Sequence, residues 1–221
     1  MTMIYSDRIE AGQALAAELG DYAGRRDMRL LALPRGGVPV AAEIASALQL
    51  PLDILLVRKL GIPGHEEFAM GAIASGGSCY LDRDVIGELN ISAGQVEATL
   101  QREQAELQRR SQVYRGSRAE PDLQGCDVIL VDDGLATGAT MRAAIDAVRA
   151  GGAQTVVVAV PVVAAETCRQ LEVLVDRLVC PHRLEFFRGV GLWYADFQQV
   201  SDEEVIELLQ RHRPEATDEQ H

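Results

Sequence analysis

Two adjacent carboxylates, Asp132 and Asp133, follow an apolar run and precede a loop of small residues and hydroxyls in VILVDDGLATGAT, residues 128–140. Gly138 would let a ligand approach the backbone, Thr137 and Thr140 offer hydroxyls, and a following helix would present free N–H groups and a positive dipole end. The loop Ala136, Thr137, Gly138, Ala139, Thr140 therefore suits a phosphate. The acids repel a phosphate and call for another partner, either vicinal sugar hydroxyls or a hydrated magnesium ion. A phosphorylated sugar with Mg2+ satisfies both halves, the metal reaching Asp132 and Asp133 through water. The chain has no GxxxxGK[ST] segment and no GxGxxG after a strand, which argues against a P-loop nucleotidase and a dinucleotide site.

Three further segments carry chemistry-capable residues. PRGG at 34–37 places the Arg35 cation beside Gly36 and Gly37, whose backbone amides can turn toward an anion. Arg58 and Lys59 end an apolar run and open LGIPGHEEFAMGAI, where Gly and Pro predict a mobile loop until about Ala69. His65, Glu66 and Glu67 read there as solvated, with Glu66 and Glu67 the candidates for acid–base work. Near the C-terminus, Phe187, Trp193 and Tyr194 gather in a chain only 5% aromatic, where they would either stack a flat heterocycle or pack a core.

The elements that must hold these groups follow from hydrophobic period. Ile9, Leu15, Ala16, Leu19 and Tyr22 predict an amphipathic helix from Asp7 to about Tyr22, capped by Ser6. A strand at Leu30–Leu33, the glycine turn, a helix over Val38–Leu48 and a strand over Leu52–Val57 come next. AMGAIAS and CYLD are strand-like, and the charged stretch from Ser92 to Arg115 predicts one long solvated helix with Arg102, Arg109 and Arg110 as surface charges. From Asp127, VILV, TVVVAVP and VLVDRLVCP alternate with helices at MRAAIDAVRAGGA and AAETCRQL, and a last helix spans Asp202–Arg211. Near-continuous Val/Leu runs between helices predict an α/β protein with a mainly parallel sheet buried on both faces.

The 221 residues, 48% hydrophobic, suffice for one sizeable core. Acids outnumber bases 33 to 21, a net charge of −12 that counts against nucleic acid or an anionic membrane as partner. The absence of a spanning apolar run and the acidic start, MTMIYSDRIEAGQALAAELG, give the expectation of a cytoplasmic protein. Cys79, Cys126, Cys168 and Cys180, with no CxxC pair, are expected to be buried free thiols.

Taken together, VILVDDGLATGAT and LALPRGGVPVAAEIA resemble the type I phosphoribosyltransferases, the first as their phosphoribosyl-pyrophosphate (PRPP) signature and the second as their pyrophosphate loop. The resemblance implies a mainly parallel sheet flanked by helices, with a small hood built from N- and C-terminal parts. It implies one domain over 1–212, with core at about 30–57 and 127–181 and an insertion at about 58–126, while the polar composition of 213–221 predicts a disordered tail. It implies transfer of the 5-phosphoribosyl group of PRPP to a nitrogenous base with loss of pyrophosphate, assisted by Mg2+, in a homodimer. Asp132 and Asp133 would face the ribose hydroxyls and Ala136–Thr140 the 5′-phosphate. Arg35, Gly36, Gly37, Arg58 and Lys59 would meet pyrophosphate, the 58–70 segment standing where the family has a flexible catalytic loop. Asp132, Asp133, Arg35 and Lys59 would carry catalysis. Phe187, Trp193 and Asp196 would lie at the base, since Phe187, Val190-Gly191 and Asp196 follow the order of the purine members. Ala136 stands where hypoxanthine-guanine members carry an aspartate, and LATG resembles the adenine-type loop, so a purine acceptor is slightly favoured, without that carboxylate, over a pyrimidine, another heterocycle or a small amine. Two other readings compete: a non-catalytic regulator that binds PRPP or a nucleotide, and a hydrolase or phosphorylase of a phosphorylated sugar or nucleoside.

Overall fold

The structure, a computed structural model, describes residues 4–116 and 119–212. The expected disordered tail lies outside the described residues, as do the side chains of Glu66 and Glu67. In chain order the elements are α1 (Arg8–Glu18), β1 (Met28–Ala32), α2 (Gly37–Leu48), β2 (Leu52–Ile54), β3 (Val57–Ile62), β4 (His65–Ala74), β5 (Cys79–Leu81), α3 (Arg83–Glu88) and α4 (Ala93–Arg115). They continue as β6 (Asp127–Val131), α5 (Ala139–Ala150), β7 (Thr155–Ala159), β8 (Val162–Ala164), α6 (Ala165–Glu172), β9 (Arg177–Val179), β10 (His182–Leu184) and α7 (Asp202–Arg211).

Strands without a polar face must be covered on both sides, and five of them pair in parallel in the order β2-β1-β6-β7-β9. Side chains alternate across that sheet with period two. Ile129 and Val131 pack with Leu15, Ile44 and Leu209 of α1, α2 and α7, whereas Val128 and Leu130 pack with Met141, Val148 and Leu171 of α5 and α6. This is the mainly parallel, helix-flanked sheet expected from the sequence. The chain moves outward from β1 to β2, returns on the far side of β1 as β6, and continues through β7 to β9. The β1/β6 boundary is thus the point where strand order reverses, and a crevice opens there beyond the carboxyl ends of the strands. Register places Ala32 opposite Val131, and the Leu33 N–H donates to the Val131 carbonyl at 2.8 Å.

The segment after β2 departs from expectation. In place of a mobile loop, β3 and β4 form an antiparallel hairpin extended by β5. Gly61 falls at a register shift and Pro63-Gly64 between the strands, Gly64 with φ +81°, so the residues that predict a mobile loop are spent on a bulge and a turn. Other boundaries also move. Asp7, not Ser6, caps α1 by accepting the Glu10 N–H at 2.9 Å, α1 ends at Glu18, and Ile9 is exposed. Within VLVDRLVCP only Arg177–Val179 is strand, and Cys79 is exposed while the other three thiols are buried. The long helix α4 keeps its expected limits because Ser92 and Gln95 form a reciprocal capping box.

Residues 4–6 and 193–196 pair beside the acid pair, to which Tyr194 also reaches. The Ile4 and Tyr5 N–H groups donate to the Trp193 carbonyl at 3.0 Å each, Ala195 N–H to Tyr5 at 2.9 Å, and Asp196 N–H to Ser6 at 2.8 Å. Tyr5, Trp193 and Tyr194 are buried beneath this pairing with Phe187 and Phe197 against them. Among the described residues, no helix is long and apolar enough to cross a membrane.

Candidate functional site

The strand register brings PRGG and the acid pair side by side. Gly36 abuts Asp133 so closely that an added Cβ would overlap its carboxylate, chiefly Oδ2, and a Cβ on Gly37 would fall 2.6 Å from the Val131 carbonyl. Glycine is required here by the closeness of the end of β6 and the acids that follow it, a reason invisible in PRGG itself.

Asp132 Oδ1 accepts the Asp133 N–H at 2.8 Å. Asp133 Oδ2 accepts a hydrogen bond from Arg8 Nε of α1 at 2.9 Å and pairs ionically with Arg8 Nη2 at 2.8 Å, the side chains being only 12% and 13% exposed. Arg8 Nη1 donates to the Gln198 carbonyl at 2.9 Å, and its guanidinium lies 3.9 Å from the Phe197 ring centre. Tyr194 Oη donates to the Asp133 carbonyl at 2.6 Å. Burial and then the neighbouring Asp133 charge push the Asp132 carboxyl well above the usual carboxylate range. Burial also raises Asp133, with Arg8 pulling it back.

Beyond the acids, Gly138 adopts φ +67° as the N-cap of α5. No side chain caps that helix, so its first turn offers N–H groups to the loop. The loop is braced from behind: Thr167 Oγ1 donates to the Ala136 carbonyl at 2.5 Å, and Arg142 Nη2 to the Thr137 carbonyl at 2.7 Å. Ala136, Thr137 and Thr140 remain exposed.

A cavity of about 310 Å³ runs between PRGG, Thr140 and α4, and its charged lining is Arg35, Arg58, Arg109, Arg110 and Asp202. Arg35 Nη1 stands 3.7 Å from Asp202 Oδ1, which also accepts the Tyr114 hydroxyl at 2.6 Å. Burial, then that bond, pushes the Tyr114 phenol up to about 12. Arg109 and Arg110 both reach Glu106 at 2.9 Å, and their bonds bring its carboxyl down to about 2. These arginines are solvent-accessible, as the sequence suggests, but they face the cleft. Arg58 is held by Glu103 of α4 at 2.7 Å, and Lys59 joins Arg58 and Thr140 in lining an adjacent cavity of about 330 Å³.

The aromatic group is a correction. Trp193, 8% exposed, packs against Phe187 with ring centres 6.3 Å apart, and Tyr194 is buried against Phe197 at 5.0 Å. Neither Trp193 nor Tyr194 presents a free face to a ligand, because the cluster is what pins the two chain ends together. Asp196 is exposed and accepts the Gln198 N–H at 3.2 Å. Phe187 stays half-buried. Sequence reasoning misses Arg8, Glu103, Arg142 and Thr167 altogether; none carries a local signal, since each acts on a residue far along the chain or on a backbone carbonyl.

For a metal, no group of three or more His, Cys, Asp or Glu side chains gathers among the described residues. Two carboxylates fit a magnesium ion held mainly by a ligand's own oxygens and by water, and do not fit an all-protein cage.

The sequence profile of the phosphoribosyl transferase domain matches residues 2–192. The crystal structure of TT1426 from Thermus thermophilus superposes with a TM-score of 0.86 at 39% identity, covering 96% of this chain and 100% of that one. The Mycobacterium tuberculosis putative phosphoribosyl transferase Rv0571c is 42% identical over 211 residues, 95% of this chain, and this chain spans 47% of its length. The bifunctional protein PyrR of Brevibacillus brevis is 32% identical over 94 residues, 42% of this chain and 46% of that protein. With the acid pair, the glycine turn and the Thr/Gly loop converging where the strand order reverses, and with the profile spanning nearly the whole fold, the chain belongs to the phosphoribosyl transferase domain family.

Proposed function

We propose that this protein transfers the 5-phosphoribosyl group of PRPP to a nitrogenous base, a purine by preference, and releases pyrophosphate. The observation that supports it best is the abutment of Gly36 on the Asp133 carboxylate, which joins the acid pair to the turn whose Arg35 lines, with Thr140 of the phosphate loop, an arginine-rich cleft. Asp132 and Asp133 take the ribose hydroxyls, and the first turn of α5 with Thr137 and Thr140 takes the 5′-phosphate. Arg35, with Arg58 and Lys59 at the hairpin, stabilises charge on the leaving group, so the barrier is lowered by positioning and by fixed cations without a covalent nucleophile. Mg2+, when bound near Asp132 and Asp133, supplies charge neutralisation on the phosphates. A cytoplasmic homodimer completes the proposal.

The test is release of pyrophosphate from PRPP and Mg2+ in the presence of purines, pyrimidines and small amines in turn. Release with a purine supports the reading. Free ribose 5-phosphate without any acceptor would identify a hydrolase, and PRPP binding with no turnover across the panel would identify a regulator; either result overturns it.

The cleft wall supplied by α4 gives a separate prediction. Replacing Arg109 and Arg110 together by Gln removes two of the four arginines lining the cavity without touching the acid pair or the phosphate loop. Calorimetry should show inorganic pyrophosphate binding about 10-fold more weakly, on the scale of a lost charge-assisted hydrogen bond, with ribose 5-phosphate affinity unchanged.

A further inference from the structure

Arg8 lies in the first turn of α1, well away from every motif, yet among the described residues it is the cation that contacts the acid pair. Its guanidinium is fixed on three sides: Asp133 Oδ2 takes Nε and Nη2, the Gln198 carbonyl takes Nη1, and the Phe197 ring covers its face at 3.9 Å. An arginine so fully engaged and 12% exposed is not a surface charge. A structural tie between the two arms would need only the Gln198 contact, because they are already joined by four backbone bonds at residues 4–6 and 193–196. The hydrogen bond and ion pair to Asp133 do something else: both fall on one carboxylate oxygen and fix the rotation of the acid that Gly36 abuts.

We propose that Arg8 is a positioning residue for the acid pair, holding the Asp133 carboxylate oriented toward the ribose hydroxyls of PRPP from outside the ligand site. The inference rests on the phosphoribosyl-transfer reading above. Arg8 itself touches no reacting atom; it acts through Asp133. The titratable and charged groups that face Asp133 are Arg8 from α1, Asp132 beside it and Tyr194 from the C-terminal arm, whose hydroxyl donates to the Asp133 carbonyl; the turn after β1 contributes the uncharged Gly36. Of these, Arg8 alone is a cation. Its loss would free the Asp133 carboxyl to rotate from the orientation that Arg8 and Gly36 now define.

The experiment measures PRPP affinity with Mg2+ by calorimetry for wild type, Arg8→Met, Arg8→Lys, Asp133→Asn and the Arg8→Met/Asp133→Asn double variant, with inorganic pyrophosphate as reference ligand. Arg8→Met should weaken PRPP about 10- to 100-fold, the range for a buried charge-assisted contact, leave pyrophosphate affinity unchanged and add no further loss in Asp133→Asn. Arg8→Lys, a cation without the planar fork, should restore part of the affinity. Near-ultraviolet dichroism monitors the fold of each variant. If Arg8→Met weakens pyrophosphate as much as PRPP, or weakens PRPP further in Asp133→Asn, or Arg8→Lys restores nothing, Arg8 is only a structural tie and the proposal fails. PRPP binding equal to or tighter than wild type in Arg8→Met would mean that Arg8 competes with the ligand, which also overturns it. Failure of the wild type to bind PRPP, with ribose 5-phosphate and inorganic pyrophosphate as controls, refutes the phosphoribosyl-transfer reading itself and with it this proposal.

Discussion

Asp132→Asn is expected to be at least about 100-fold less active than wild type and, at neutral pH, more stable. Asp132 is half-buried beside Asp133, and the lost hydration and the neighbouring charge raise its carboxyl well above the ordinary range. A carboxylate raised in the folded state favours folding fully at pH below about 4, where both states are protonated. Its contribution is lost as pH climbs from there through the elevated folded value, because the unfolded chain releases its proton first. Asparagine keeps the shape and an oxygen for the Asp133 N–H, presently bonded to Asp132 Oδ1 at 2.8 Å, and carries no charge to bury. Its melting midpoint should therefore match wild type near pH 4 and exceed it by about 2–4 °C at pH 8, the shift that roughly 1 kcal/mol produces in a domain of this size. Calorimetric melts across that range, run beside pyrophosphate-release assays, check both halves. A variant that melts lower at pH 8 would show that Asp132 is stabilising and would remove the case for stored electrostatic strain at the site.

Gly36→Ala should be the most damaging single methyl group in the protein. The new Cβ would overlap the Asp133 carboxylate, so either the 34–37 turn retreats or Asp133 swings away from Arg8. Overpacking of this kind costs about 1–3 kcal/mol. The functional loss should be larger in proportion, at least about 100-fold in kcat/KM, because misplacement near 1 Å is enough for that. Gly20→Ala is the control: the added methyl there meets nothing within 4 Å, and both activity and melting midpoint should stay near wild type. A Gly36→Ala enzyme with unchanged kinetics would mean that the turn and the acid pair do not work as one unit.

Much of the architecture is legible in the sequence because burial leaves a periodic trace. Val128–Val131 and Thr155–Ala159 read as two-sided strands since no charged residue interrupts them, and they are strands. The acid pair and its loop are readable because they are contiguous. What is not readable depends on partners distant in sequence. Arg8 looks like any charged residue at a helix start until α1 lies over the crevice, 125 residues from Asp133. Arg109 and Arg110 look like solvated charges on a polar helix, and only the packing of α4 beside β3 turns them toward Arg35. The hairpin is hidden for a different reason. Gly61 and Pro63-Gly64 are strong interrupters, and local preference cannot tell a bulge and a tight turn from an unstructured loop. Trp193 misleads because aromatic clustering alone does not separate a platform for a ring from a seam between chain ends.

The strand order has a consequence for synthesis on the ribosome. Strand β1 acquires β2 soon after it emerges, but its other neighbour begins at Asp127, which pairs with Met28. At about 5–20 residues per second, Leu30 and Leu31 wait several seconds for that partner, with an apolar edge open to any other chain. The intervening hairpin and long capped helix are mostly local in their contacts and can form in that interval. The order of translation thus makes the central strand pair, which later carries the site, the first long-range step of sheet closure on that side, since β7 and β9 can add only after β6, and the wait before it the interval in which a chaperone would have most to protect.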